Sequence, residues 1–505
     1  MFTRILVANR GEIALRVIRT AREMGIETVA VYSRVDRRAL HTRMAHIAVD
    51  LGGTLPRNTY LDAEKILAAA RETGAEAIHP GYGFLSENAD FARRVVEAGL
   101  AWIGPPPEAI EKMGDKITSR RVMQAAGVPV VPGLVDPVAT AAEAQAEAEA
   151  VGYPIALKAA AGGGGKGIRV VRDPADMVGA FRTASGEAEA AFGDGRLYME
   201  RYLETARHVE VQVLFDAHGH GVHYFERECS IQRRHQKLIE ECPSVVVTPE
   251  LREEMGRVAL AAGRAVNYEG AGTVEFLFSG GEFFFLEMNT RLQVEHPVTE
   301  MVTGRDLVRE QLRVAAGEPL GYEQSDLRMS GHSIEVRLNA EDPVHGFVPS
   351  TGTIRNLRLP GGPWVRLDTA LYRGMRVGLE YDPMLAKVIV WGADRDAAIA
   401  RMVRALQELN VGGVKTGAPA ALVVLEHERF KRGDFDTRFL EGLDLSAPHG
   451  GDDVVVAAAA AIHRHLLARR RALGSSAAMR RGWTARARAE TSSWAPRPVD
   501  GGGAS

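Results

Sequence analysis

Cysteine is nearly absent from this chain: Cys229 and Cys242 are the only two among 505 residues. Two cannot build a disulfide framework, and their spacing fits no metal site, so a reducing cytoplasm is the expected setting. Long apolar runs are missing too, and nothing approaches the roughly 20 residues that a membrane helix needs. The start, Met1-Phe2-Thr3-Arg4, leads straight into Ile5-Leu6-Val7 without a signal-peptide core. Charge of either sign is not in large excess. A net charge of −3 gives no basic field for nucleic acid. What remains, 46% hydrophobic and 25% charged, is ordinary globular composition. The length suggests about three domains.

Residues 4–104 alternate short apolar strands (4–8, 28–32, 77–79, 101–103) with helices (11–24, 61–73, 88–98). That alternation predicts a doubly wound parallel sheet. A dinucleotide-binding domain would need Gly-x-Gly-x-x-Gly after the first strand, but the turn reads Ala8-Asn9-Arg10-Gly11-Glu12. Pro105-Pro106-Pro107 and Gly127-Val128-Pro129 mark a passage into a new unit. A small α+β module follows, with a helix at 140–151, strands at 154–159 and 168–172, a helix to about 191 and a strand at 196–200. Strands dominate from 208 to 300 (209–215, 221–227, 272–278, 282–287), and 332–440 is mixed. The tail from 447 is rich in Ala and Arg, with a helix predicted over 452–473.

Ala159-Ala160-Ala161-Gly162-Gly163-Gly164-Gly165-Lys166-Gly167 is a phosphate-loop candidate, because glycines let backbone N–H groups approach phosphate oxygens. Positions 162, 164 and 167 formally match Gly-x-Gly-x-x-Gly, yet a strand follows where a helix is required. The Walker pattern fails as well, since residue 160 is Ala and no Ser or Thr follows Lys166. A glycine hairpin between two strands fits a flexible lid over a triphosphate, against the plainer reading of a solvated hairpin tip. Lys158, closing an apolar strand beside this loop, suits a nucleotide phosphate.

The densest signal is the stretch from Phe283-Phe284-Phe285 to Glu295-His296. Glu287, Asn289, Arg291, Gln293 and Glu295 fall on alternate positions, which in one extended strand share a face. Acid, amide, cation, amide and acid in a row suit an anion, a metal or both. Glu275 lies on the preceding predicted strand. An even two-residue turn would put Glu275 and Glu287 on opposite faces, whereas a three-residue turn or a bulge, which Gly280-Gly281 permits, brings them to one. Two carboxylates with Asn289 then form a hard oxygen site for Mg²⁺ or Mn²⁺. Residues 226–237 read by themselves as a solvated charge run, and His208 as an ordinary satisfied histidine.

Together these motifs resemble biotin carboxylase, an ATP-grasp enzyme. They are Val7-Ala8-Asn9-Arg10-Gly11-Glu12-Ile13-Ala14, His79-Pro80-Gly81-Tyr82-Gly83-Phe84-Leu85-Ser86-Glu87-Asn88, the glycine loop, Gln232-Arg233-Arg234-His235-Gln236-Lys237, and the run from Glu287 to Glu300. The match covers about residues 3–440. The implied fold is α/β and α+β: an N-terminal doubly wound domain (1–114), an ATP-grasp domain (115–330) whose mobile glycine-loop lid spans about 131–203, and a C-terminal mixed α/β domain (331–446). The implied reaction carboxylates biotin with ATP and bicarbonate on a separate carrier, the first half-reaction of an acetyl- or propionyl-CoA carboxylase of the kind used in fatty acid synthesis. The resemblance assigns ATP contacts to Lys116, Lys158, Gly163, Gly164, Gly165, Lys166, Gly167, Glu200, Leu203, His208, Gln232, His235 and Leu277. It assigns metal ligation, of two Mg²⁺ or Mn²⁺ ions, to Glu275, Glu287 and Asn289. Lys237, Arg291, Gln293 and Val294 match the bicarbonate pocket, and Tyr82 and Arg337 the biotin site. Glu295 matches the base, with Arg291, Arg337 and Lys237 as its catalytic companions.

The resemblance also implies a biotin carboxyl carrier protein and carboxyltransferase subunits as partners, and a homodimer, since Arg16, Arg19, Glu23 and Arg366 match contact positions. Neither nucleic acid nor membrane is expected as a partner. The biotin-accepting Ala-Met-Lys-Met finds only Ala478-Met479-Arg480 here, so the chain is not expected to carry biotin itself. Two rivals share parts of the pattern: another ATP-grasp ligase, without Arg291 and Glu295 in this motif, and a degenerate regulatory subunit.

Overall fold

The computed structural model describes residues 1–134, 136–159, 169–234, 236–445 and 461–466. The chain forms two compact units, residues 1–447 and 448–505. In the second, 461–466 are helical and exposed. The rest of the predicted 452–473 helix lies outside the described residues.

The first unit opens with strands β1 (Arg4–Val7), β2 (Glu27–Tyr32), β3 (Ile47–Asp50), β4 (Ala77–His79) and β5 (Ala101–Trp102). They make a parallel sheet in the order β3-β2-β1-β4-β5. β3 was not expected from sequence: its alternating half-exposed residues make it a weakly apolar edge. The order reverses between β1 and β4, and the loops that follow these two strands are tied together there. Asn9 Nδ2 donates to the carbonyls of Pro80 (2.7 Å) and Tyr82 (2.8 Å). Gly81 has φ +64°, and a Cβ there would sit 2.9 Å from Asn9 Nδ2, so the junction needs glycine. This fixes the loop that carries Tyr82 and Glu87.

Strands β6 (Ile155–Ala159), β7 (Arg169–Val171) and β8 (Leu197–Arg201) form a small antiparallel sheet in the order β7-β6-β8, packed on helices Ala141–Val151 and Met177–Phe192. The glycine loop between β6 and β7, with Gly163, Gly164, Gly165, Lys166 and Gly167, lies outside the described residues, as does His235.

The third sheet organises the site. Strands β9 (Arg207–Phe215), β10 (Gly221–Arg233), β11 (Gln236–Cys242), β12 (Gly270–Ser279), β13 (Glu282–Asn289) and β14 (His332–Asn339) join strands Met384–Gly392 and Val365–Thr369. The order is β13-β12-β9-β10-β11-β14, then Met384–Gly392, then Val365–Thr369, antiparallel throughout. Alternation explains its two faces. Val209, Val211, Val213, Val274 and Phe276 point into an apolar core against helix Pro249–Ala265. His208, Glu210, Gln212, Thr273, Glu275 and Leu277 are the intervening residues, and they build the other face. One continuous sheet thus carries both the predicted metal acids and Arg337 on β14.

Candidate functional site

Cross-strand register sets a row of charge. Glu287 (β13) lies opposite Glu275 (β12), Glu275 opposite Glu210 (β9), and Glu210 opposite Arg227 (β10). The turn at Gly280-Gly281 has two residues, both at positive φ (+62° and +88°), and pairs Ser279 with Glu282. Phe276 still pairs with Phe285, but Glu275 pairs with Glu287. Leu286 is therefore the extra residue of a bulge, placed away from the glycines. If the same residues paired regularly with no bulge, the tight turn would set Glu275 opposite Leu286 and send Glu287 to the far face.

The single extended face expected from Glu287 to Glu295 does not exist beyond Asn289. β13 ends there, the chain bends at Thr290-Arg291 and turns at Val294-Glu295, and helix His296–Thr303 follows. The bend still brings the five side chains to one place. Asn289 Nδ2 donates to Glu275 Oε1 (2.9 Å), and Gln293 Nε2 donates to the same oxygen (2.6 Å). Arg291 donates to Asn289 Oδ1 (2.9 Å) and, through Nε, to Glu87 Oε2 (2.8 Å). Glu295 occupies the helix N-cap position without capping it, because its carboxylate is spent elsewhere.

That carboxylate meets Lys237 and Arg337. Lys237 Nζ donates to Glu295 Oε1 (2.5 Å), Glu210 Oε2 (2.7 Å) and Glu275 Oε1 (3.0 Å), which uses all three of its hydrogens. Arg337 spans Glu295 Oε2 (2.9 Å) and Glu240 Oε1 (2.5 Å). Arg227, wholly buried, holds Glu210, Gln212, Thr273, Gln293 and Thr299. Burial raises the Glu295 pKa, but Lys237, Arg337 and Arg227 outweigh it and hold the carboxyl well below the usual range. Burial likewise raises Glu275, yet Lys237 and His208, whose Nε2 is 2.8 Å away, hold it well below. Burial lowers Lys237, and Cys229, Glu210, Glu275 and Glu295 together lift it well above an ordinary lysine. At neutral pH Lys237, Glu275 and Glu295 are therefore all ionised.

Glu275, Glu287 and Asn289 offer oxygen donors suited to Mg²⁺ or Mn²⁺. Glu287 opens to solvent, while Glu275 and Asn289 are engaged by Lys237 and Arg291, contacts that a cation would displace. His208, Glu210 and Glu275 also have ligand atoms within 4.8 Å of one another. Elsewhere, Lys158 pairs with Glu200, which also lies 3.6 Å from Arg120. Lys116 is exposed at the first turn of helix Lys116–Ala125, and Leu203 follows β8. Leu277 lies opposite His208, and Gln232 opposite Lys237. Tyr82 is half-buried, with Lys387 Nζ 5.9 Å from its ring centroid. Val294 presents its carbonyl to Lys387.

Sequence reasoning missed Glu210, Glu240, Glu87 and Lys387. It also misplaced the charge run: Glu226, Arg227, Glu228, Cys229 and Ser230 are all at most 2% exposed. An acid on alternate positions of a strand looks the same whether its face is wet or closed, so only the count of acids converging on one lysine could have betrayed them. Among the expected dimer residues, Arg19 and Glu23 are exposed, but Arg16 is buried on Glu300 (2.7 Å) and Asp306 (2.6 Å). Arg366 shares Glu300 (2.7 Å).

Three family models cover nearly all of residues 1–442: biotin carboxylase N-terminal domain (1–110), carbamoyl-phosphate synthase L chain ATP binding domain (115–323) and biotin carboxylase C-terminal domain (335–442). The chain belongs to the biotin carboxylase family. It is 51% identical to biotin carboxylase 1 of Bacillus subtilis, over 88% of this chain and 99% of the relative. It is 49% identical to the 2-oxoglutarate carboxylase small subunit of Hydrogenobacter thermophilus, over 87% and 93%. The biotin carboxylase domain dimer of that 2-oxoglutarate carboxylase, solved with MgADP, ADP and bicarbonate, superposes with a TM-score of 0.83 at 49% identity, over 87% of this chain and 97% of that one. The chain thus has the three-part biotin carboxylase architecture with an ATP-grasp centre, and it is an ATP-dependent ligase by family.

Proposed function

We propose that this chain carboxylates biotin carried on a separate protein: ATP, bicarbonate and biotinyl carrier give ADP, phosphate and carboxybiotinyl carrier. The observation that carries this reading is the convergence of Lys237 and Arg337 on the two oxygens of Glu295, beside the Glu275–Glu287 pair. Glu275, Glu287 and Asn289 would hold Mg²⁺ or Mn²⁺, as two ions, which neutralise the ATP phosphates when bound. Lys116, Lys158, Glu200, Leu203, His208, Gln232, His235, Leu277 and the glycine loop are the proposed nucleotide contacts.

The Arg291 fork suits a planar oxyanion, with Gln293, Val294 and Lys237 completing a bicarbonate pocket. Glu295, buried and ionised, takes the bicarbonate proton. Its basicity is low while both cations hold it. Substrate anions that draw Lys237 and Arg337 away restore that basicity at the step that needs it. Arg337, assigned with Tyr82 to the proposed biotin site, stabilises negative charge that develops on the biotin ring, an interaction worth most in a water-poor site. Domain limits at 114/115, 330/331 and 446/447 belong to this reading.

A biotin carboxyl carrier and carboxyltransferase subunits are the proposed partners, with a homodimer as the working form and the cytoplasm as its place. No described helix is long and apolar enough to cross a membrane. Relatives of similar identity are named for pyruvate, 2-oxoglutarate and propionyl-CoA, so an acyl-CoA acceptor is the narrower part of the proposal, tested by identifying what copurifies with the native chain. The test of the chemistry is Glu295→Gln. Bicarbonate-dependent turnover should fall about 10²- to 10⁴-fold with ATP binding retained, and unchanged turnover would remove Glu295 from its role.

A further inference from the structure

Lys387, on strand Met384–Gly392, is wholly buried. Its Nζ donates to the Val294 carbonyl (2.7 Å) and lies 3.6 Å from Glu12 Oε2 and 3.8 Å from Asp368 Oδ2. Both Glu12 oxygens are buried without a hydrogen-bond partner, so the Lys387–Glu12 attraction is charge without a bond. An ammonium taken wholly out of water is costly, and an apolar side chain of similar shape often serves stability as well or better. Three distant parts of the chain meet at this one nitrogen: the N-terminal helix through Glu12, strand Val365–Thr369 through Asp368, and the turn that bears Glu295.

That turn is secured carbonyl by carbonyl. Gln293 O is taken by the His296 ring (2.7 Å), Val294 O by Lys387 (2.7 Å), and Glu295 O by Val298 N (3.3 Å). The first and third bonds are local to helix His296–Thr303. The middle one comes from about ninety residues away. Glu295 cannot steady the helix start itself, since its carboxylate faces Lys237 and Arg337. We propose that Lys387 is a positioning residue: it holds the Val294–Glu295 turn at the depth where Glu295 meets bicarbonate, and through Glu12 it registers the N-terminal helix against that turn. The inference rests on the proposed role of Glu295.

The test uses the full chain with Lys387→Met, the pair Glu12→Gln with Lys387→Met in case an uncompensated Glu12 prevents folding, and Lys387→Arg as the conservative variant. The KM for bicarbonate should rise about tenfold or more, the worth of one lost charge-assisted hydrogen bond, while the KM for ATP stays within about twofold. Lys387→Arg should recover part of the loss. Exchange of the His296 and Val298 amides should quicken while the β9–β12 amides are unchanged. Wild-type bicarbonate KM and wild-type exchange in a folded Met variant would overturn the proposal, as would equal losses for ATP and bicarbonate with a lowered melting temperature. If the unaltered chain showed no bicarbonate-dependent turnover, the role of Glu295 would fall, and the exchange measurement alone would still decide whether Lys387 holds the turn.

Discussion

Arg227 is the residue on which the site's geometry depends most. Its guanidinium makes five hydrogen bonds in one plane, to Glu210 (2.5 Å), Gln212 and Gln293 (2.8 Å each), and Thr273 and Thr299 (3.1 Å each). Those bonds also fix the Gln293 amide, which donates to Glu275 with its other end. A lysine offers a point charge and cannot reproduce that fork. Arg227→Met should leave Glu210 buried without its main partner and cost about 3–5 kcal/mol of stability, read by chemical denaturation. Arg227→Lys should keep more of the stability and still lose most of the turnover. A Lys variant with wild-type turnover would mean that charge alone suffices there.

At the scale of elements, the hairpin β12–β13 shows how one residue decides a face. Deleting Leu286 should close the register with Glu275 still opposite Glu287, because the flanking pairs Phe276–Phe285 and Val274–Met288 then run on regularly. Metal-dependent ATP turnover should stay within about tenfold, about 1.4 kcal/mol of barrier. A much larger loss would show that the bend of the bulge, and not the pairing, builds the site. The sequence made most of these elements legible. The glycines at 280 and 281 announced the turn, and the alternating runs placed β9, β12 and β13 within a few residues. The position of the bulge was not legible, because an ordinary bulge accepts any side chain and Leu286 carries no mark. The break after Asn289 was hidden for a related reason: a bend followed by a helix can converge the same side chains that a strand would align. Glu210 was invisible because period-2 polar residues look like a solvent face until a second layer covers them, and Glu240 because it stands next to Glu241 with no alternation to mark its side. Glu275 and Glu295 were legible through spacing and Tyr82 through motif resemblance, while the separate roles of all three rest on the resemblance.

For the whole molecule, buried titratable groups set opposing pH dependences. Burial lowers His41, His79 and His223 to about 4 each, with Arg10, Arg16 and Arg252 adding to it. Each contributes stability that is complete above the ordinary histidine value of 6.5 and is lost as pH falls toward 4. Burial raises Glu12 and Glu240 to about 7 and Glu335 well above the ordinary value. The native state binds their protons more readily than the unfolded chain, so they contribute stability that grows as pH falls from about 7 to 4.5. The lowered histidines, with His296 held well below its ordinary value as a fourth, oppose the raised acids, and a fully shifted group is worth about 1.4 kcal/mol per pH unit. Unfolding free energy should therefore fall less between pH 6.5 and 4.5 than the histidines alone would give. Below 4.5 it should drop steeply, as Glu241, held at about 2 by His332 and Arg395 against its burial, and Glu295 take up protons. Replacing Glu12 and Glu240 by Gln should steepen the earlier, shallower fall, and an unchanged slope in the double variant would contradict this opposition. The central claim is more direct: one ionised cluster activates bicarbonate with ATP for transfer to biotin. It is tested by measuring ADP release from the purified chain with Mg²⁺ and ATP, adding bicarbonate and free biotin singly and together. The account predicts ADP release that requires bicarbonate, rises with biotin and disappears in Glu295→Gln; release indifferent to bicarbonate would contradict it.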